Sequence, residues 1–528
     1  MNNTLLKNGL IMDGTGEKAY QGDVLIKDGK VYVSKTPIQA DCPTFDCTGK
    51  AISPGFIDSH SHHDNFVAAS NNEPLVEPFI RQGITTNIAG NCGYSAAGVV
   101  ANSPTRKDGV VFAAKEEGKY ELPFSTYAEY FDYLRKVGLQ QNMAMFAGHG
   151  TAMTSVTGLT PKGASTPEQK QQIAALLNEG MDAGCKGISF GLGYRPGDFI
   201  PDSEVREISE LAIKRNKLIS VHSRILGSNA PKLYGTDFSI PHNVRWHKEF
   251  LELFRDSGAR LQISHLLFVG RKAWPSYDQM FEMFDDMVDN GGMDLWFDMY
   301  SYIQGGTSIA IRMPQFFYDN LPHIYEDESL WPQLEKEMQA INEGRGILDH
   351  DVMLCDSLFD GYQDCKGMFM DEICEAKNIS LAQLYLDLYK NSGGYAKIYL
   401  MIEQPEENVP KQMLHKRALY MTDAWVEPKS LQNPCAYGAM PKFLRLSREL
   451  GKQSMEMTVA KMTGRAATRF DLHGRGFLKD GYAADVVVFD PATVADTATP
   501  KDPERYPIGI HHVFVNGAHM LNEGVFSG

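Results

Sequence analysis

Side chains that can bind a metal or move a proton follow several short apolar runs of this sequence. Histidine and cysteine are preferred zinc ligands, and an aspartate can carry protons beside such a metal. The residues in this position are His60 and His62 in FIDSHSH, Cys92 in TTNIAGNC, His222 in LISVH, His265 in LQISH and Asp423 in LYMTD. Their types and their shared position predict a metal centre assembled from five separate chain segments.

The spacing of the histidines indicates two groups of ligands. His60 and His62 lie two apart, so on an extended strand both imidazoles point to the same side and can reach one ion. His222 and His265 follow successive strands and can supply a second pair. A Cys92 thiolate is a soft ligand that two metals can share.

Each of these residues also has an ordinary structural interpretation. A short HxH motif is weakly specific, and a free cysteine is most often a small buried hydrophobic residue. Asp423 can cap a following helix, or it can take a proton from metal-bound water and deliver it to a leaving group. The shared position of all six residues favours the metal centre.

The apolar runs alternate with segments of helical periodicity, such as PEQKQQIAALLNEGMDAG and SEVREISELAIKRN. This alternation predicts parallel strands joined by crossover helices. The predicted strands are residues 55–59, GITTNIAGN, MAMFAGHG, GCKGISFGLG, KLISVHSR, ARLQISHLL, MDLWFDMYSY and RALYMTDAW. We therefore predict an α/β fold with a (β/α)8 TIM-like barrel over residues 55–473, in which chemistry lies at the C-terminal ends of the strands.

The two ends of the chain differ from the middle in their pattern of apolar and turn residues. Residues 1–54 and 474–528 contain alternating apolar residues with Asp-Gly and Asn-Gly turns, and we predict that together they form a small β-sandwich domain. From about residue 314 to residue 411 the strand pattern gives way to acidic helical stretches. We predict a helical insertion there, late in the barrel.

Composition excludes several classes of partner. The net charge of −15, without a basic stripe, argues against nucleic-acid binding. No apolar run in the 528 residues approaches the ~20 that a membrane helix needs, so we expect no membrane partner. The N-terminal sequence MNNTLLKNGL does not resemble a signal peptide, and we expect a cytoplasmic protein. The oligomeric state is left open.

The ordered set of motifs resembles the amidohydrolase superfamily and, within it, the N-acyl-D-amino-acid deacylase (D-aminoacylase) branch. The matching stretches include KNGLIMDGTG, PGFIDSHSHHDN, NCGYS, AGHGT, GLGYRPG, VHSR, ISHLL and YMTDAW. The resemblance implies a zinc hydrolase in which Cys92, His222 and His265 hold one tight Zn²⁺, while His60 and His62 form a second, weaker site. It also implies that Asp423 is catalytic and that Tyr194 and Arg224 contact substrate.

Other positions near these motifs have less specific interpretations. Tyr300 can line the substrate pocket, and His149 in AGHGT can approach it, although a half-buried strand end and a loop histidine fit the sequence equally well. Leu267 stands where the deacylases carry a lysine for the substrate carboxylate. The loss of that cation makes recognition of a carboxylate weaker by roughly 1.5–3 kcal/mol.

The leading hypothesis is hydrolysis of a non-peptide C–N bond in a small-molecule amide, in which metal-activated water attacks the carbonyl and Asp423 moves the proton. An N-acyl-D-amino acid is the first expected substrate. Because Leu267 replaces the lysine, a neutral amide or a cyclic amide of the hydantoin or imide kind is the alternative. A non-catalytic barrel that keeps a metal and binds a ligand is an alternative of another class.

Overall fold

Parallel strands of a barrel and antiparallel strands of two further sheets make up the β structure of the protein. The computed structural model describes residues 3–67, 73–101, 103, 123–159, 165–427 and 429–527. In chain order the strands are β1 (Thr4–Ile11), β2 (Tyr20–Lys27), β3 (Lys30–Ser34), β4 (Thr44–Asp46), β5 (Ala51–Pro54), β6 (Phe56–Asp58), β7 (Ile84–Ala89), β8 (Asn142–Met145), β9 (Ala147–Gly148), β10 (Gly187–Gly191), β11 (Leu218–His222), β12 (Arg260–Ile263), β13 (Asp294–Met299), β14 (Gly305–Ser308), β15 (Val352–Asp356), β16 (Lys397–Leu400), β17 (Ala418–Tyr420), β18 (Val486–Phe489), β19 (Ile510–Val515), β20 (Ala518–Asn522) and β21 (Val525–Phe526).

The helices lie mostly between the barrel strands and in the segment before β17. In chain order they are α1 (Glu73–Arg81), α2 (Tyr127–Val137), α3 (His149–Thr157), α4 (Pro167–Ala183), α5 (Asp202–Ile213), α6 (Pro231–Tyr234), α7 (His242–Glu252), α8 (Tyr277–Asp289), α9 (Gln315–Asp319), α10 (Trp331–Arg345), α11 (Met370–Lys377), α12 (Leu381–Ser392), α13 (Asn408–Leu414), α14 (Cys435–Leu450), α15 (Met455–Lys461) and α16 (Gly464–Arg469). None of the helices in the described ranges is both long enough and apolar enough to cross a membrane.

The barrel is built from parallel strands in the order β6, β7, β8/β9, β10, β11, β12, β13 and β17. β8 and β9 are two parts of one strand, interrupted at Phe146. The barrel closes between β17 and β6, where the Ser59 backbone N–H and hydroxyl donate to the Tyr420 carbonyl at 3.2 and 2.7 Å. The predicted (β/α)8 barrel is confirmed, and each strand's C-terminal end faces the same side.

Local sequence explains why the crossover helices form where they do. In α4, Thr166 caps the first turn by accepting a hydrogen bond from the Gln169 N–H, and Pro167 occupies the first helical position. Ile173 and Leu177, four apart, bury one face of the helix. β10 (GISFG) is buried along its whole length, as expected for a strand covered on both faces.

Both ends of the chain contribute to one antiparallel-rich sheet, ordered β21-β20-β19-β18-β5-β1-β2-β3 with β4 paired to β1. β18 joins the two halves by pairing with β5, in a register that sets Val486 opposite Pro54. Leu6 and Val24 share one buried cluster with Val486 and Phe514, so the sheet encloses a core made from both ends. The predicted β domain is confirmed in kind, while its boundaries at residues 54 and 474 stay a prediction.

The insertion late in the barrel contains more than helices. β14, β16 and β15 form a three-stranded antiparallel sheet, and α9 to α12 lie between β14 and β16 in the chain. The sheet begins at Gly305, before the predicted start at residue 314. Strands of four or five residues are too short for an alternating pattern to be recognised, which is why the sequence predicts helices alone.

Candidate metal centre and active site

The six residues predicted to form the metal centre lie together at the C-terminal end of the barrel. His60 and His62 follow β6, Cys92 follows β7, His222 is the last residue of β11, His265 follows β12, and Asp423 follows β17. Four of the side chains are strongly buried, with exposed fractions of 0% for His60, 7% for His62, 4% for Cys92 and 3% for His265, whereas His222 and Asp423 are partly buried. The barrel therefore gathers residues that are more than 360 positions apart in the chain.

The Cys92 sulfur lies at the centre of the cluster. Cys92 Sγ is 3.3 Å from His60 Nε2, 3.3 Å from His265 Nε2 and 3.6 Å from His222 Nδ1. Sulfur and nitrogen ligands of one tetrahedral zinc lie roughly 3.5 Å apart when the metal bonds are about 2.3 and 2.1 Å. The sulfur-to-nitrogen distances therefore fit a zinc ligand set.

Three overlapping groups of ligand atoms, each within 4.8 Å, can hold a metal ion: His60, His62 and Cys92; Cys92, His222 and His265; and His60, His265 and Asp423. Cys92 belongs to two of the groups, as expected for a sulfur between two metal positions. Asp423 Oδ1 lies 3.3 Å from the Nε2 atoms of both His60 and His62. The donor set of imidazoles, one thiol and one carboxylate matches zinc chemistry.

Electrostatics within the cluster favour a thiolate. Burial alone would raise the pKa of the Cys92 thiol, but the charges of His60 and His265 and hydrogen bonds from His222 and His265 hold that pKa well below its usual range. Burial likewise opposes ionisation of Asp423, yet attraction to His60 and His265 keeps the pKa of its carboxyl below the ordinary value. The site therefore presents anionic ligands to a cation.

Two buried aspartates that the sequence analysis did not single out hold the histidines in place. Asp298 Oδ1 accepts a hydrogen bond from the His265 backbone N–H at 2.7 Å and lies 3.4 Å from His60 Nδ1. Asp58 accepts hydrogen bonds from the backbone N–H groups of His60 and Thr422, at 3.2 and 2.9 Å. The available signal was positional, because Asp298 also lies near the end of an apolar run, in β13.

Three cluster residues adopt left-handed backbone conformations that are uncommon for residues other than glycine. The φ angles are 55° at Cys92, 31° at His265 and 49° at Asp423. Hydrogen bonds fix each of them: the Tyr194 hydroxyl donates to the Cys92 carbonyl at 2.7 Å, the His265 N–H donates to Asp298 Oδ1 at 2.7 Å, and the Asp423 N–H donates to the His60 carbonyl at 3.0 Å. Such strain is typical of functional sites whose surroundings determine the backbone.

Tyr194 and Tyr300, predicted to contact substrate, lie beside the cluster. The Tyr194 ring centroid is 4.5 Å from that of His222. The Tyr300 hydroxyl donates to the carboxylate of Glu403, a residue that the sequence analysis did not identify. Burial raises the pKa of Glu403 to about 7. The charge of His265 lowers this pKa, and the charge of Asp423 raises it.

The other predicted substrate contacts have surroundings of a different kind. Arg224 donates from Nε and Nη2 to Asp202 Oδ1, at 3.0 and 2.8 Å, and to backbone carbonyls of the segment before it. Leu267 is 5% exposed and belongs to the main apolar core. His149 has its ring against Phe190 and makes no hydrogen bond or ring contact with the six cluster residues in the described ranges. The structure thus gives Arg224 a protein partner, and the substrate roles of these three residues stay predictions.

Both the sequence and the structure are similar to those of known D-aminoacylases. The chain is 28% identical to a D-aminoacylase of Alcaligenes xylosoxydans xylosoxydans over 527 residues, which cover 99% of this chain and 95% of the relative. The structure superimposes on that of a D-aminoacylase with a binuclear metal centre, with a TM-score of 0.80, 26% identity and coverage of 100% and 98% of the two chains. The resemblance to the D-aminoacylase branch of the amidohydrolase superfamily is confirmed.

A second solved structure extends the comparison within this branch. The N-acyl-D-glutamate deacylase of Bordetella bronchiseptica, complexed with zinc and a phosphonate inhibitor, matches with a TM-score of 0.78 and 25% identity over 98% of this chain and 96% of the other. No family model matches the sequence. The resemblance therefore rests on full-length similarity to individual amidohydrolases.

Proposed function

We propose that this protein is a zinc-dependent hydrolase that cleaves the amide bond of an N-acyl-D-amino acid or a close derivative. The observation that carries the proposal is the position of Cys92 Sγ, within 3.3–3.6 Å of a nitrogen atom on each of three histidines from three barrel strands. Zinc in the related Bordetella bronchiseptica deacylase supports the choice of metal. The partner that this reaction requires is a small-molecule amide.

The donor atoms support two metal positions. Cys92, His222 and His265 would hold a tight zinc, and His60, His62 and Cys92 would hold a second, weaker one. When bound, zinc polarises a carbonyl oxygen and lowers the pKa of a water molecule. Asp298 and Asp58 keep the histidine backbone and the His60 ring oriented toward these positions.

Asp423 is the residue that we assign to proton transfer. Its Oδ1 atom faces the same space as the Nε2 atoms of His60 and His62, and its lowered pKa keeps the carboxylate ionised near neutral pH. Oδ1 can therefore accept a proton from the attacking water and donate it to the departing nitrogen. Tyr194, whose hydroxyl is bonded to the Cys92 carbonyl, stabilises the loop that carries the sulfur.

One observation favours a second candidate substrate, a neutral or cyclic amide of the hydantoin or imide kind. Leu267 is apolar where the deacylases have a lysine, and Arg224 is already paired with Asp202. A carboxylate on the substrate therefore has no evident cationic partner among these residues. Parallel assays of N-acetyl-D-methionine and a ring imide separate the two candidates.

The test of the proposed mechanism is the Asp423→Asn variant. We expect it to keep the zinc content of the wild-type protein and to lose roughly 100-fold or more in kcat/KM, because general acid–base catalysis contributes about that factor. The surface variant Asp289→Asn, which removes the same charge from an ion pair with Lys416, is the matched control. Full activity of Asp423→Asn would contradict the mechanism, and purified protein without zinc would contradict the metal assignment.

A further inference from the structure

Glu403 lies at the C-terminal end of the barrel, although it comes from the insertion. It follows β16 by three residues. Its backbone N–H donates to the Ile303 carbonyl at 3.1 Å, and its carbonyl accepts from the Phe268 N–H at 3.0 Å. Because Phe268 and Ile303 follow β12 and β13, these bonds fix Glu403 beside the ends of two strands that contribute to the active site.

The Glu403 carboxylate has a defined environment beside the cluster of predicted metal ligands. It accepts a hydrogen bond from the Tyr300 hydroxyl, and it is near enough to His265 and Asp423 to interact with their charges. Gly305 leaves room for it, since a Cβ atom there would stand 1.9 Å from Glu403 Oε2. Within the described ranges, Glu403 forms no ion pair with a lysine or arginine.

The charge around Glu403 is unfavourable for a substrate carboxylate. Leu267 is apolar and buried, and it precedes Phe268, whose N–H donates to the Glu403 carbonyl. The guanidinium of Arg224 is held by Asp202. Above a pH of about 7, where the Glu403 carboxyl is ionised, a carboxylate placed beside it would meet a second anion in a partly buried site, where like charges repel each other more strongly than in water. A substrate group with an N–H could instead donate a hydrogen bond to the Glu403 carboxylate, which already accepts one from the Tyr300 hydroxyl.

We propose that Glu403, positioned by Tyr300 and Gly305, selects substrates whose amine portion carries a hydrogen-bond donor, such as a carboxamide, in place of a free carboxylate. This inference rests on the proposed amide hydrolysis, and it assigns the substrate class to N-acyl-D-amino-acid amides. Glu403 acts here as a specificity residue that touches the substrate group next to the scissile bond.

The test compares N-acetyl-D-methioninamide with N-acetyl-D-methionine on zinc-loaded protein. We expect the wild-type kcat/KM to be higher for the amide, and Glu403→Gln to reduce the amide-to-carboxylate ratio by about tenfold, because a bond to a charged acceptor becomes a bond to a neutral one. Glu406→Gln removes the same charge from an exposed position three residues away and should leave the ratio unchanged. Gly305→Ala, whose methyl group displaces the carboxylate, should lower the ratio in the same direction.

Binding gives a second measurement that does not depend on turnover. In the Asp423→Asn background, calorimetric titration with the amide should show a Kd that rises about tenfold when Glu403→Gln is added. A wild-type preference for the carboxylate, or a ratio and a Kd that Glu403→Gln leaves unchanged, would overturn the inference while amide hydrolysis stands. Hydrolysis of neither compound by zinc-loaded wild-type protein would overturn the proposed function and this inference together.

Discussion

Replacing Asp298 with asparagine should weaken zinc binding without removing any metal ligand. The carboxylate is fully buried, and its two oxygens face different groups: Oδ1 faces the His265 N–H at 2.7 Å and His60 Nδ1 at 3.4 Å, while Oδ2 accepts from Gln262 Nε2 at 2.9 Å. An asparagine has one oxygen and one NH₂ group. Whichever way its amide is turned, one donor must face another donor.

The local network prevents an easy adjustment. Gln262 could turn its own amide to accept from the new NH₂ group, but its Oε1 already accepts from Arg469 Nε at 3.3 Å. The variant therefore loses one hydrogen bond to a charged acceptor, worth about 1.5–3 kcal/mol, together with the negative charge near His60. Partners of metal-binding histidines typically contribute 10–100-fold to metal affinity, and we expect a loss in that range.

The assay is competition for zinc against a chromophoric chelator, with the unfolding of the metal-free protein measured in parallel. Asp356→Asn is the matched control, because Asp356 is 5% exposed and accepts hydrogen bonds from Leu358 and Gln363 of the insertion and from Ser430, which follows β17. It should destabilise the metal-free protein and leave the zinc Kd unchanged. Equal zinc affinities for Asp298→Asn and wild type, within about twofold, would refute the idea that Asp298 orients the ligands.

Two further predictions concern a ligand and a buried lysine. Cys92→Ser should lower zinc affinity by at least about 100-fold, since a serine oxygen is a poor zinc ligand. The control variant Cys185→Ser, at another buried cysteine, should keep its zinc on dialysis. If Cys92→Ser also kept its zinc, the assignment of the Cys92 sulfur as a metal ligand would be contradicted. Burial lowers the pKa of Lys461 to about 7, below the unfolded value, so the folded protein binds fewer protons there between pH 7 and 10. The free energy of unfolding of the wild-type protein should therefore rise with pH, relative to that of Lys461→Met, by about 1 kcal/mol per pH unit. If urea denaturation gave the same pH dependence for both proteins, the prediction would be contradicted.

The barrel could be predicted from the sequence because its strands are short apolar runs that recur between amphipathic helices. The polar residues at strand ends were also predictable, since the fold dictates that those ends meet. The insertion sheet was not predictable, because β14 and β16 have four residues each and pair only through contacts that are distant in the chain. A pattern of period two needs a longer run to be distinguished from chance.

Within the site, the metal-binding residues were predictable and their supporting contacts were not. Asp298 follows Trp296 and Phe297 in an apolar run and carries no motif of its own, so only the three-dimensional arrangement places it beside His60. The pairing of Arg224 with Asp202 joins residues 22 positions apart through packing of the helix that begins at Asp202. Glu403 reaches the site from the insertion, a route that strand order alone does not reveal.

The left-handed backbone at Cys92, His265 and Asp423 limits how the centre can be redesigned for another metal. For residues with a branched β-carbon, such as threonine or valine, this backbone conformation costs about 1–3 kcal/mol in strain, whether or not they bind a metal. Aspartate and asparagine visit it more readily than most residues. To replace the sulfur with an oxygen ligand, aspartate should therefore be tried before glutamate. The backbone conformation at this position restricts the choice of residue before ligand chemistry does.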